Sequence, residues 1–336
     1  MIRLTGATLL FVLHTLLFVT HPAQAASAHQ SVEAGVDHSQ TLEWTSREVQ
    51  HVYGLPDVKP KERGSLAIYA SGLSFAGKTG SAMIPRQSVI AVSAGNQRVE
   101  LWGMKGRLLR MAIPNGGGLA AAAFMHHRVG MLTVEFSDSR GGYHGAVFFL
   151  PANEAEHAFQ SFSQMPVVPR ELPANTCQDG FVNPQSILVA APSWDQAEVP
   201  ASYRALVYEH LLDRLRQVKG AGYVYRDGAN NSPQGCAQYT MQFSIRGFKQ
   251  GSQVKRAMMG PIGFFAGTTQ MTFDTSITDA SGKVNMQEQV KATVRGESES
   301  TNVAANVANK IAKQYSMALK RSGDINMASA TGIPRQ

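Results

Sequence analysis

Two cysteines in 336 residues, Cys177 and Cys236, are too few for a disulfide-stapled small fold, and neither has a nearby cysteine or histidine at zinc-ligand spacing. Charged residues are sparse too, 16% against 43% hydrophobic, which excludes the composition of a disordered polymer and allows sizeable cores. After residue 25 no apolar run reaches the roughly 18 residues of a spanning helix. The nearest, Ala257–Ala266, is broken by Gly260, Pro261 and Gly263. Reactive motifs are missing as well: there is no Gly-x-Ser-x-Gly elbow, and neither cysteine has the local setting of a thiol nucleophile. The glycine-rich run Gly260–Gly267 lacks the Gly-Lys-Ser/Thr ending of a phosphate loop and precedes a strand pattern, which excludes a nucleotide site. Isolated Asp and Glu positions assign no carboxylate pair. No catalytic residue, metal or cofactor is therefore expected.

What is present begins with an address. Arg3, the apolar run Ala7–Val19 and the small-x-small Ala23-Gln24-Ala25 read as a secretory signal (1–25) cleaved after Ala25, which predicts a periplasmic or secreted mature chain. No cysteine follows the cleavage site, so a lipoprotein anchor is not expected. In an oxidising compartment an even cysteine count favours a Cys177–Cys236 disulfide, the alternative being two separate buried thiols. The formal charge of +7 is uneven: Ala26–Met165 holds 12 basic and 11 acidic residues, and the remainder from Pro166 holds 18 and 13. No basic cluster sits among stacking aromatics, which argues against nucleic acid. Anionic lipid headgroups or cell-wall polymers suit the excess better; the plainer reading is solubility.

Residues 26–61 are polar and aperiodic and read as a flexible leader, with order beginning near Glu62. Short apolar segments at Ser65–Tyr69, Leu73–Ala76, Ser81–Pro85, Val89–Ala94, Arg98–Trp102 and Arg107–Ala112, punctuated by Ser71-Gly72, Gly77, Gly80, Ala94-Gly95-Asn96 and Gly103 as turns, predict an antiparallel β domain over 62–165. Met131–Ser137 and Tyr143–Leu150 flank a hairpin loop at Asp138–Gly142. A closing helix starts at Asn153, with Glu156 completing a capping box and Ala155, Ala158, Phe159 and Phe162 on one face. A Pro-rich linker, 166–179, carries Pro166, Pro169 and Pro173. From 180 to 321 the pattern changes to a strand Ser186–Ala191, a helix Ser202–Val218, strands Tyr223–Arg226 and Gln238–Phe248, a hairpin about Asp279–Gly282 and a helix Thr301–Lys320. That order, β-α-β-β-β-β-α, predicts helices packed on a sheet, with a disordered tail over 322–336. The fold class expected is α+β in two domains: an antiparallel barrel or sandwich with a closing helix, then a mixed-sheet sandwich with two helices.

Gly64-Ser65-Leu66-Ala67-Ile68, Gly72-Leu73-Ser74-Phe75 and Ile84-Pro85-Arg86-Gln87-Ser88-Val89-Ile90 resemble bacterial pleckstrin-homology-like or GRAM-like domains. Ile187-Leu188-Val189, Phe243-Ser244-Ile245, Gly251, Arg256, Gly260, Gly263, Gly267, Asp274 and Asp279 resemble envelope domains of unknown function, whose fold is similar to the amino-terminal domain of the Tol translocation protein and to the curli-secretion protein. The second resemblance implies binding or envelope assembly.

Three histidines, His126, His127 and His144, could approach one another, but adjacent residues on a strand face opposite ways and do not chelate easily. Lys255, Arg256, Met258, Met259, Ile262, Phe264 and Phe265 form an apolar stretch beside two cations, which reads either as core with a glycine-permitted bend or as an adhesive loop for an envelope partner, another copy or the membrane interface. Lys105, Arg107 and Arg110 are the weaker candidate rim for anionic lipid headgroups. The reading as a whole is an exported, non-catalytic bacterial cell-envelope protein that mediates association or assembly; a lipid or small-ligand carrier is the alternative, and a hydrolase follows it.

Overall fold

Among the described residues twelve strands form two open sheets. The computed structural model describes residues 41–100, 126–163, 181–193, 199–229, 235–251, 268–279, 281–294 and 301–330. The first sheet contains β1 (Leu42–Tyr53), β2 (Arg63–Tyr69), β3 (Gly72–Gly77), β4 (Ser81–Pro85), β5 (Val89–Glu100), β6 (His126–Ser137) and β7 (Tyr143–Pro151). Its order is β4-β3-β2-β1-β7-β6-β5, antiparallel throughout, and among the described residues β4 and β5 do not pair to close a barrel. Helix α1 (Glu154–Ser163) lays Ala155, Ala158 and Phe162 on a core of Leu66, Ile68, Phe75, Ile84 and Phe148.

The second sheet contains β8 (Val182–Val189), β9 (Val224–Arg226), β10 (Cys236–Lys249), β11 (Thr269–Asp279) and β12 (Val284–Val294), in the order β12-β11-β10-β8-β9. The β10, β11 and β12 pairings are antiparallel, whereas β8 runs parallel to both its neighbours. With α2 (Ala201–Arg216) and α3 (Asn302–Ala330), the chain order is the expected β-α-β-β-β-β-α. The hairpin at Asp279 forms as expected: its Oδ1 accepts from the amides of Ser281 and Lys283, and Gly282 takes φ 79°.

Three stretches differ from expectation. The polar leader over 26–61 gives way at Leu42 to β1, which pairs with both β2 and β7. Register shifts at Leu42/Trp44, Ser46/Val49 and His51/Tyr53 break its period of two, and the inward His51 is polar, so the strand carries no clean alternation. His51 is fully buried and satisfied, its Nδ1 3.1 Å from the Lys59 carbonyl and its Nε2 accepting from the Leu55 amide at 3.0 Å. Ala94-Gly95-Asn96 is not a turn, because β5 continues through it opposite Leu132, Met131 and Gly130. Finally, α3 runs beyond Lys320 to Ala330, into the stretch expected as a disordered tail.

The two sheets share a core across the expected boundary. Strand β7 is buried on both faces. Its Ala146, Phe148 and Leu150 join the α1 core, while Tyr143 and Val147 join a cluster containing α2, α3 and the inner face of the second sheet. Gly145 permits this contact, since a Cβ there would lie 2.5 Å from the Ala205 Cβ of α2. We expect Gly145→Ala to lower stability by about 1–3 kcal/mol through overpacking, whereas Gly95→Ala, whose new methyl would meet only the Met131 Cε at 3.9 Å, stays near wild type; urea denaturation midpoints of both variants check this.

Candidate functional site

The polar chemistry inside the protein gathers along one stripe of α2. Sequence periodicity explains its Leu206, Val207, Leu211 and Leu215, but Tyr203, Ala205, Tyr208, Glu209 and Leu212 are buried too, because the helix is packed on more than one side. Glu209 lies at the centre, 3% exposed. Its Oε1 accepts from the Gly145 amide at 3.1 Å and from Arg226 Nη1 at 2.9 Å, and its Oε2 accepts from Arg226 Nη2 at 2.8 Å. Arg226 Nη1 also donates to the Tyr143 carbonyl at 2.9 Å, and the guanidinium lies 5.8 Å from the Tyr208 ring centroid. Burial opposes ionisation of Glu209, yet the Arg226 charge and the donated hydrogen bonds hold its carboxyl below the usual range.

His144 extends the cluster. Its Nε2 is 3.2 Å from Asp138 Oδ2 and its Nδ1 is 3.7 Å from Glu209 Oε1, with the ring stacked on Phe136 at 5.1 Å. Asp138 Oδ1 accepts from the amides of Arg140 and Gly142, closing the β6–β7 turn. Against the opposing effect of burial, these partners hold the Asp138 carboxyl at about 2. Tyr208 donates its hydroxyl to the Val189 carbonyl at 3.2 Å and accepts from the Asp227 amide at 3.0 Å. Chemically the arrangement is a clamp, with the ionised groups spent on joining β7, α2 and β9.

One turn towards the helix start, Arg204 reaches Glu135 of β6 at 3.5 Å and donates to the Val199 carbonyl at 2.5 Å. Burial pushes the Glu135 carboxyl up despite this cation. Beside the pair lies a cavity of about 420 Å³ lined by Ser93, Ala94, Gly95 and Asn96 of β5, Met131 and Thr133 of β6, Pro200, the first residues of α2 including Ser202 and Arg204, and Gln250. Met131, Thr133 and Ser202 form its buried floor, while Gly95, Asn96 and Gln250 are exposed at its mouth.

Of the residues singled out from sequence, His144 belongs to the clamp. Lys255, Arg256, Met258, Met259, Ile262, Phe264 and Phe265 lie outside the described residues, as do Lys105, Arg107, Arg110, Cys177, the signal segment and the 166–179 linker. Cys236 opens β10, and no cysteine among the described residues is a free thiol. His126 and His127 begin β6, opposite Glu100 and Val99, whereas His144 is in the clamp; no group of three metal-ligating side chains occurs among the described residues. Sequence reasoning missed Glu209 and Glu135. The available signal was an acidic residue inside an otherwise apolar periodic segment, which a buried partner must answer.

No family model matches the chain, and no curated protein matches it. Among solved structures, the PelC dodecamer of Paraburkholderia phytofirmans is similar at 16% identity and TM-score 0.28, covering 40% of this chain and 92% of its own. A Xanthomonas campestris protein of the DUF330 family gives 9% identity and TM-score 0.31, covering 45% and 92%. A hypothetical protein of Chlamydia trachomatis gives 9% and 0.31, covering 40% and 96%.

A mutational cycle tests the clamp, and a pH series tests the buried histidine next to it in sequence, His210. Glu209→Gln and Arg226→Met should each cost about 3–5 kcal/mol by leaving a buried partner uncompensated, and the double variant Glu209→Leu/Arg226→Met should cost clearly less than their sum in a urea-denaturation cycle. His210, whose ring lies 4.2 Å from that of Tyr53, is held by burial at about 4 against an ordinary 6.5. Between those values the unfolded chain takes a proton that the folded chain refuses, so stability falls as pH drops through this window. His51, also lowered by burial, acts in the same direction. The loss in unfolding free energy from pH 7.5 to pH 5 should therefore shrink, without vanishing, in His210→Phe.

Proposed function

We propose that this is an exported, non-catalytic protein of the bacterial cell envelope that works by association, pairing an extended segment of another polypeptide with the open edge of its second sheet. The observation that carries this reading is β12. It is 11 residues long and has a strand neighbour on one side only among the described residues. Val284 is 52% exposed at its start, and Asn285, Gln287, Glu288, Gln289 and Lys291 are also exposed. Proteins commonly blunt such edges with charge, proline or very short strands; this one offers a long, mostly neutral ladder.

The sequence signal before Ala26 supports export, and none of the described helices is long and apolar enough to cross a membrane. The oxidising compartment that export implies supports a Cys177–Cys236 disulfide at the start of β10. The Lys255–Phe265 segment, which joins β10 to β11, is a second candidate contact by its apolar and basic composition. A ligand-carrier reading is favoured by one observation, the cavity beside Arg204.

Photo-crosslinking from Gln287 in intact cells tests the association. A discrete product is expected, either at twice the mature mass for a second copy or at another mass for an envelope protein, and it should be lost when Asn285→Lys/Gln289→Lys is added to the chain carrying the crosslinker. A chain that yields no specific product and stays monomeric at every concentration in sedimentation overturns the reading.

A further inference from the structure

We propose that the cavity between β5, β6 and the start of α2 binds a small molecule through an anionic oxygen group, a carboxylate or a phosphate. The first observation is a pair of hydroxyl residues on the cavity wall. Thr133 and Ser202 are only 2% and 3% exposed and line the cavity, and neither side chain has a hydrogen-bond partner among the described residues. Neither hydroxyl oxygen is among the solvent-shielded polar atoms left unmet, so each opens onto the cavity, where water or a ligand answers it. Two of them on one cavity wall supply donors for something that enters it.

The second observation is the helix start, independent of those side chains. Pro200 is the N-cap of α2 and supplies no side-chain cap, while the amides of Tyr203 and Arg204 both turn to the Pro200 carbonyl. The amides of Ala201 and Ser202 come before Tyr203, the first amide with a helical acceptor, so the positive end of a 16-residue helix lies at the cavity. Arg204 adds a guanidinium to the same wall. Its partner Glu135 does not line the cavity, and burial pushes that carboxyl towards its neutral form, which weakens its opposition to an anion. Ala94, Met131, Pro200 and Ala201 give the carbon body of a ligand an apolar wall. The volume of about 420 Å³ falls within the range of small-molecule sites.

The test uses the mature full-length chain and three probes in NMR titrations: butyrate, glycerol 3-phosphate and glycerol. At least one anion should saturate at millimolar concentration, shifting amides of Ser93–Asn96 and Ala201–Arg204, and the anion that does so names the group as carboxylate or phosphate. Thr133→Val and Ser202→Ala, close in shape to the originals, should each weaken that binding about tenfold at an unchanged denaturation midpoint. If a variant fails to fold, the wild-type shift map decides alone. Saturation by neither anion, equal binding of glycerol, shifts confined to other residues, or folded variants that bind as wild type would overturn the proposal.

Discussion

The ion pair between Glu209 and Arg226 ties three elements, α2, β9 and β7, at one buried point. Glu209 belongs to α2 and Arg226 to β9 in the second sheet, while the amide of Gly145 and the carbonyl of Tyr143 belong to β7 in the first. A buried carboxylate or guanidinium alone is strongly unfavourable, so neither sheet can finish folding with its member of the pair exposed to the apolar interior and unanswered. The pair therefore selects one seating of α2 on β7 and one register of β9 beside β8. Tyr208 fixes the same seating from the next position by bonding Val189 of β8 and the amide of Asp227, whose carboxylate accepts from the Ala191 amide at 2.7 Å.

This seating determines what remains for function. With α2 held at Glu209 and pressed on Gly145 through Ala205, its first turn is placed against β5 and β6 without filling the space before them. The cavity is thus a consequence of anchoring the helix in its middle while its amino-terminal end stands off a sheet edge. The β12 edge is left open for a different reason. Helix α3 packs on the inner face of the second sheet, burying Val303, Val307 and Ile311 in the common core, and among the described residues it hydrogen-bonds to the edge strand at two points only, where Lys310 donates to the Lys291 carbonyl and Gln314 to the Glu288 carboxylate.

The second half of the fold was legible because its signals are local. Alternation over Met241, Phe243 and Ile245, a turn at Asp279–Gly282 and apolar repeats in α2 and α3 each require only neighbours in sequence. Strand β1 was not legible, since its shifts in register remove the alternation and its central inward position is a histidine satisfied by Leu55 and Lys59. The shared core was hidden for a similar reason. A strand buried on both faces, such as β7, reads as merely hydrophobic, and nothing local states that the second face belongs to a helix some sixty residues later. The candidate contact residues of the Lys255–Phe265 and Lys105–Arg110 stretches lie outside the described residues, and the clamp and the cavity came from long-range pairing that spacing does not encode.

The two faces of the second sheet bear on how its edge could be used. Met271, Phe273, Ile277, Met286, Val290, Ala292 and Val294 face inward, and the alternating positions on β10, β11 and β12 carry Gln242, Ser244, Gln270, Thr272, Ser276, Gln287, Gln289 and Thr293. On that outer face Arg246 is paired with Asp274, whose other oxygen is 3.3 Å from Gln289 Nε2. A strand added beside β12 would meet short amide and hydroxyl side chains able to donate or accept, with Glu288 and Lys291 as the nearby charges. Backbone pairing would then supply most of the attraction, and sequence preference would come from the alternate positions of the incoming segment that reach the buried rim at Met286 and Val290. A partner should accordingly carry apolar residues at every second position, with little demand for charge.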